Sequence, residues 1–262
     1  MNRKLIGVTA LILVLALIGG GLLWNYRTGQ KETAFLETYE IPAGEIRPEI
    51  WGKKYPLHYD TYLKTGEGGA GESKFRGSEN YNRLSGWPFQ YVLFDGWGMG
   101  IEYTESRGHI YALIDQLEID PARRAAGGVC LTCKTPLAGE LKEEMGVDYF
   151  RLPYDEVYGR LPLEAKELGV ACIDCHETED ASLRLSRWTL EEGLKRIGKD
   201  PQKLSTQELR TLTCAQCHVT YAIPKDEENR SIDVLFPWEG GSFGNITIED
   251  IEQTIKDNGY YE

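Results

Sequence analysis

Basic residues are in short supply: 29 Lys and Arg stand against 41 Asp and Glu in 262 residues, a formal net charge of -12. Little in such a chain neutralises a phosphate backbone, so a nucleic-acid partner is disfavoured. Residues 1–30 contain Arg3, Lys4 and Arg27 but no acid, which places all 41 carboxylates downstream. Histidine is scarcer still, with four in the chain, so any chemistry built on imidazole has few candidates. Apolar residues make up 41% and charged residues 27%. That is enough for one sizeable core or two small ones, and neither a disordered tail nor a collagen-like fibre fits.

No Ala-x-Ala cleavage site follows the apolar stretch from Leu5 to Trp24, and no cysteine stands there for lipidation. Its 20 residues, at about 1.5 Å each, match the roughly 30 Å of bilayer hydrocarbon. With Arg3 and Lys4 in front, the stretch reads as an uncleaved anchor or, second, as a removed export signal; its positive end stays in the cytoplasm. The expectation is a single-pass protein of the cell membrane whose working part lies on the extracytoplasmic (periplasmic or outer) face. Residues 1–30 are then signal or anchor, 31–50 a tether and 51–262 the functional domain.

No cysteine is left over. All six fall into Cys-x-x-Cys units: Cys130 with Cys133, Cys172 with Cys175, and Cys214 with Cys217. Chance at this composition gives about 0.1 of a unit. Structural disulfides would close strained two-residue loops and staple nothing distant. Thiol–disulfide exchange needs one such motif rather than three, and zinc knuckles would pair two units and orphan the third. Covalent haem attachment accounts for the whole pattern. The paired thiols add to the two vinyl groups of one porphyrin, and the next residue reaches the iron as an axial ligand.

That next residue is His176 in CIDCH, His218 in CAQCH and Lys134 in CLTCK. A lysine amine ligates only when deprotonated, so the metal must depress a pKa that starts near about 10.4. This makes sense where the opposite face of the iron stays open to a substrate, whereas bis-histidine haems are closed and suited to moving electrons. Lys134 therefore marks a substrate-binding haem, and His176 and His218 mark two electron-transfer haems; the bland alternative is a surface lysine beside a disulfide. Only His58 and His109 remain for distal positions. His109, in the apolar segment RGHIYALID, is the better candidate, and His58 suits a structural role.

The succession CLTCK, CIDCH, CAQCHVTY, with RGHIYALID upstream and FPWEGG downstream, resembles the amino-terminal half of pentahaem cytochrome c nitrite reductase, the ammonia-forming enzyme. The resemblance runs from about Trp51 to the last residue. It implies six-electron reduction of nitrite to ammonium at the Lys134 haem, with His109 the distal ligand of the third haem and Tyr221 the substrate-side tyrosine. It also implies an active-site arginine, which falls on Arg123 or Arg124. A membrane-bound multihaem quinol dehydrogenase would be the electron donor, and the family is homodimeric. Taken blandly, the arginines are a solvated pair and Tyr221 is a packing residue.

Two departures stand out. Thr220 occupies the place of a glutamate that ligates calcium in the family, and a hydroxyl is a poorer hard-cation ligand, which puts calcium in doubt. The chain also stops at Glu262, where the family continues for a comparable length. The fourth and fifth haem motifs, the active-site histidine, the distal histidine of the second haem and the dimer helices belong to that further part. The expectation is a fragment, one piece of a split enzyme, or a truncated cytochrome that has lost the reaction.

The fold expected is mainly α with long loops and little β, a multihaem c-type cytochrome whose haems form much of the core, preceded by one transmembrane helix. The glycine-rich tract 65–86 reads as a loop. Apolar runs at 90–95 and 110–114 fit strand or helix, with helix favoured for the second. Ser186 suits the N-cap of a helix stopped by Gly198; Ser205 with Glu208, and Thr247 with Asp250, form capping boxes. Three functions compete: a nitrite reductase, a membrane-tethered trihaem electron carrier, and a zinc- or disulfide-stapled module without haem.

Overall fold

The structure is a computed structural model that describes residues 12–28, 39–69 and 77–258. Mainly helical architecture is what it shows: among the described residues, β pairing is limited to isolated bridges such as Ala222 with Leu235. Six α-helices there reach eight residues: α1 (12–28), α2 (Pro56–Lys64), α3 (Ala138–Met145), α4 (Trp188–Arg196), α5 (Thr206–Ala215) and α6 (Ile248–Asp257). Short helical and 3-10 turns join them, and these turns carry the motifs.

Helix α1 is exposed along its length. Among the described residues no helix is long and apolar enough to cross a membrane. The apolar run begins at Leu5, and its first part lies outside the described residues, as does the middle of the glycine-rich tract. The end of the expected tether is packed: Ile41 and Glu45 are buried, and the Trp51 indole donates to the Glu45 carbonyl at 2.8 Å.

Local sequence chemistry explains most helix ends. Both capping boxes form, with Ser205 opening α5 and Thr247 opening α6. Gly198 stops α4 at φ +81°, where a side chain would be strained. Ser186 does not cap α4. Arg187 stands at the N-cap without a side-chain cap bond, because the Ser186 hydroxyl donates to the Asp174 carbonyl at 2.8 Å instead. A four-residue helix, Arg83–Gly86, capped by Asn82, interrupts the tract expected to be all loop. The two apolar runs are both helical, as Gln90–Leu93 and as the 3-10 turn His109–Tyr111 leading into Ile114–Glu118.

The core is side chain against side chain around the first motif: Leu131, Tyr149 and Val157 are fully buried there with Phe236 beside them. Leu190, Leu194 and Ile197 of the α4 segment make a second cluster.

Lys199 meets Glu208 of the α5 cap at 2.6 Å. That lysine, then the Ser205 amide and hydroxyl, hold the Glu208 carboxylate at about 2, below its ordinary 4.5. A depressed carboxylate contributes stability fully above its unfolded value, and loses it as pH falls towards the folded one. Glu208→Gln should therefore flatten the fall of the urea midpoint between pH 4.5 and 2; parallel profiles for wild type and variant would refute it.

Candidate functional site

Each cysteine pair sits on a tight helical turn. In CIDCH the His176 amide donates to the Cys172 carbonyl at 3.0 Å, and in CAQCH the His218 amide donates to Cys214 at 2.9 Å. Residues three and four apart share one face of such a turn, so the two thiols and the imidazole emerge together. CLTCK is built differently. It ends the 3-10 helix Gly127–Cys133, and the Lys134 amide donates to the Leu131 carbonyl at 2.9 Å. Gly127 has φ +78°, and a Cβ on Gly128 would collide with the Tyr149 carbonyl, so only glycines let this turn pass beneath Tyr149.

All six cysteines line two adjoining cavities. The larger, of about 530 Å³, is lined by Cys130, Cys133, Cys214 and Cys217 with Lys134 and His218. The second, of about 450 Å³, is lined by Cys172, His176, His58 and the tyrosines Tyr55, Tyr59 and Tyr62. Cys175, Val170 and His109 belong to both. Val170 donates its amide to the His109 carbonyl at 3.1 Å, and the bare Cα of Gly169 lets the two backbones touch. The His109 segment is thereby pinned between the second motif and the third.

The His109 and His218 ring centroids lie 6.2 Å apart with their planes tilted by 49°, which brings the two imidazoles to one place in the larger cavity. Burial first, then the neighbouring His218 and Lys134, lowers His109 below the usual imidazole value and favours the neutral form. At the second motif the His176 Nδ1–H donates to the Ala181 carbonyl at 2.7 Å, which leaves Nε2 free for a metal.

Arg123 and Arg124 part company. Arg123 lines the larger cavity with Tyr221, Lys134 and His218, and its guanidinium lies 5.6 Å from the Tyr103 ring centre. Arg124 turns to the other side, pairs with Asp155 at 3.1 Å and lies 5.0 Å from the Tyr154 ring centre. Tyr221 is 38% exposed as a residue, yet partial burial of its phenol pushes that group up to about 12, so it reaches the cavity as a proton-bearing donor. Thr220, beside it, is exposed.

A polar knot that the motif spacing did not disclose ties the units together. Gln216, inside CAQC, donates from Nε2 to the Asp174 carbonyl of CIDC at 2.8 Å, and its Oε1 accepts from the amides of Ser186 (2.8 Å) and Arg187 (3.2 Å). Asp174 accepts from the Ala171 amide at 2.7 Å and faces the Arg187 guanidinium at 2.7 Å. Both side chains of that ion pair are sealed from water, at 0% and 1% exposure.

These donors fit covalent haem: paired free thiols on cavity walls, each pair followed by a nitrogen ligand, with imidazoles beside them. Among the described residues no group of three His, Cys, Asp or Glu side chains could hold a metal ion. A porphyrin iron takes only its axial ligands from the chain.

The family model of cytochrome c552 matches residues 47–262. Cytochrome c-552 of Bacteroides fragilis is 32% identical over 254 residues, covering 94% of this chain and 48% of that protein. The cytochrome c nitrite reductase subunit NrfA of Nitratidesulfovibrio vulgaris is 32% identical over 217 residues, 77% of this chain and 41% of that one. Among solved structures, the NrfA catalytic subunit of cytochrome c nitrite reductase from Desulfovibrio desulfuricans, described with two calcium sites, superposes with a TM-score of 0.67 at 30% identity, over 81% of this chain and 47% of that one. The chain spans about half the length of these relatives.

Proposed function

Since the chain belongs to the cytochrome c552 family, we propose that it binds three haems c through its three cysteine pairs and takes part in the six-electron reduction of nitrite to ammonium. The observation that carries this reading is the convergence of Lys134, Arg123 and Tyr221 on one cavity walled by two of those pairs. Haem c supplies the redox-active iron. The Lys134 amine would hold the iron of the first haem, the one at which substrate would be reduced. His176 would hold the second haem, and His218 with His109 the third, as electron-relay sites.

In a chain of net charge -12, a nitrite anion needs a local cation to draw and orient it, and Arg123 supplies one. The Tyr221 hydroxyl donates a hydrogen bond, then a proton, as nitrogen–oxygen bonds break. Calcium has no carboxylate from Thr220 to hold it. The remaining half of the machinery, as in the longer relatives, comes from a further segment or partner subunit, which would also provide any dimer contact. The apolar run from Leu5 anchors the chain on the extracytoplasmic side, where a membrane-bound multihaem quinol dehydrogenase delivers electrons.

A pyridine haemochrome spectrum counts the haems, and nitrite-dependent oxidation of a reduced viologen dye tests the reaction. A haem-loaded protein that never turns over, alone or with the supplementary half, would reduce the reading to a trihaem electron carrier. Within the active assembly, Arg123→Gln should raise KM for nitrite by about tenfold or more, the worth of a charge-assisted hydrogen bond. Arg124→Gln should leave it nearly unchanged. Equal effects of the two would break the assignment of Arg123.

A further inference from the structure

The four histidines of the chain sort into two pairs. His109 and His218 stand together in the larger cavity, with ring centroids 6.2 Å apart. The other two, His58 and His176, line the second cavity with Cys172 and Cys175. His109 borders that cavity as well, but its ring is the one beside His218. His176 is the residue its motif offers to the iron, and its Nδ1 is committed to the Ala181 carbonyl at 2.7 Å. His58 has no part in the haem sites described above.

The register of helix α2 brings His58 there. Tyr55, at the N-cap, then His58, Tyr59 and Tyr62 recur at i, i+3, i+4 and i+7, which places them on one helix face, and all four line the second cavity. That face is fastened to the second motif: the Tyr62 hydroxyl donates to the Val170 carbonyl at 3.1 Å, two residues before Cys172. Just past the helix, the Tyr111 hydroxyl donates to the Gly66 carbonyl at 3.1 Å and ties α2 to the His109 segment. No residue of α2 is buried, so packing does not hold His58 in place. Among the described residues its contacts are the Thr61 hydroxyl, which donates to its carbonyl at 2.7 Å, and the Tyr55 ring, edge to face with centroids 6.1 Å apart. A structural histidine spends its ring nitrogens on hydrogen bonds. Those of His58 are left uncommitted by these contacts.

We propose that His58 is the distal ligand of the haem attached through Cys172 and Cys175, so that this chain closes its own second haem. The assignment rests on the haem reading above. It departs from what the family resemblance implies, a distal histidine drawn from a further segment. The imidazole suits the iron better than its neighbours on the helix face: it is neutral at neutral pH, whereas a phenol must first lose a proton whose ordinary pKa is about 10. The Tyr62 hydroxyl is engaged at Val170 besides. Ligation adds one nitrogen–iron bond on the side opposite His176, and no proton or electron is transferred. A haem held by two histidines is closed to substrate and relays electrons, which leaves substrate chemistry to the Lys134 site.

The test is the spin state of iron in the oxidised, haem-loaded chain, read by low-temperature electron paramagnetic resonance, with carbon monoxide binding to the reduced chain as a second count. In the wild type only the Lys134 iron should lack a second protein ligand, so about one third of the iron should be high-spin and about one carbon monoxide should bind per chain. His58→Ala should keep its full haem content by pyridine haemochrome, because the cysteine attachments remain, and should roughly double both readings. Free imidazole added to that variant should restore the low-spin signal. His58→Met should keep the iron six-coordinate and raise its potential, as an axial methionine does. An unchanged spectrum in fully loaded His58→Ala, or about two carbon monoxide molecules on the wild type, overturns the assignment of His58 and leaves the haem reading intact. Should the variant load poorly, the wild-type count decides. A wild-type chain that takes up no haem c overturns both.

Discussion

Produced where haem is not attached, the chain should fail to fold, giving flat near-ultraviolet dichroism and rapid proteolysis of the whole domain. The reason is the shape of the interior. Lys134, His109, His218 and five of the six cysteines line a space of about 530 Å³, and a second of about 450 Å³ adjoins it. Protein interiors are packed at crystal density, and an unfilled apolar cavity costs about 24 cal/mol per Å³. By that measure the larger space alone is worth on the order of 10 kcal/mol, as much as the whole stability of a domain, about 5–15 kcal/mol. Water entering through the open mouths softens the penalty but puts nothing apolar against the walls. Replacing only Cys214 and Cys217 with alanine should remove one haem of the three by pyridine haemochrome, leaving about two thirds of the absorbance. A folded, protease-resistant apo-domain would show that the side-chain core around Leu131 and Tyr149 suffices without porphyrin.

How much of this was legible depends on the range of each interaction. Haem attachment needs two thiols and a ligand on one turn, so its requirement is local and CLTCK, CIDCH and CAQCH display it directly. The capping boxes at Ser205 and Thr247 are local in the same way, and both form. Ser186 satisfied the same cap rule and failed, because a tertiary partner twelve residues back, the Asp174 carbonyl, took its hydroxyl. The choice between Arg123 and Arg124 could not be made from neighbours. On the 3-10 turn Pro121–Arg124 successive side chains point about 120° apart, so one enters the larger cavity and the other meets Asp155.

The knot was invisible for a like reason. Asp174 and Gln216 stand at variable positions of their motifs and are 42 residues apart, while Arg187 carries no pattern of its own. A charged residue is normally read as solvated, and only the fold brings Arg187 to zero exposure. His58 shows the opposite limit: YPLHYDTY gave it a structural role, yet it lines the cavity of the second motif beside His176.

Arg187→Ala should lower the stability of the haem-loaded chain by about 3–5 kcal/mol, the cost of leaving a buried charge without its partner. Asp174 cannot turn to water, since its side chain is 1% exposed and the Ala171 amide holds it in place. Arg187→Lys should recover only part of the loss: a lysine keeps the charge but cannot reach both the Asp174 carboxylate and the Ser186 hydroxyl as the planar guanidinium does. The decisive measurement is a double-mutant cycle by chemical denaturation, with haem loading verified for each protein. Asp174→Ala and Arg187→Ala should each be severe alone, and their combination should cost less than the sum by at least ~1 kcal/mol, because the double variant leaves no orphaned charge. Additive losses would mean that the two groups act separately, and that the 2.7 Å contact does not couple the second haem motif to the α4 segment.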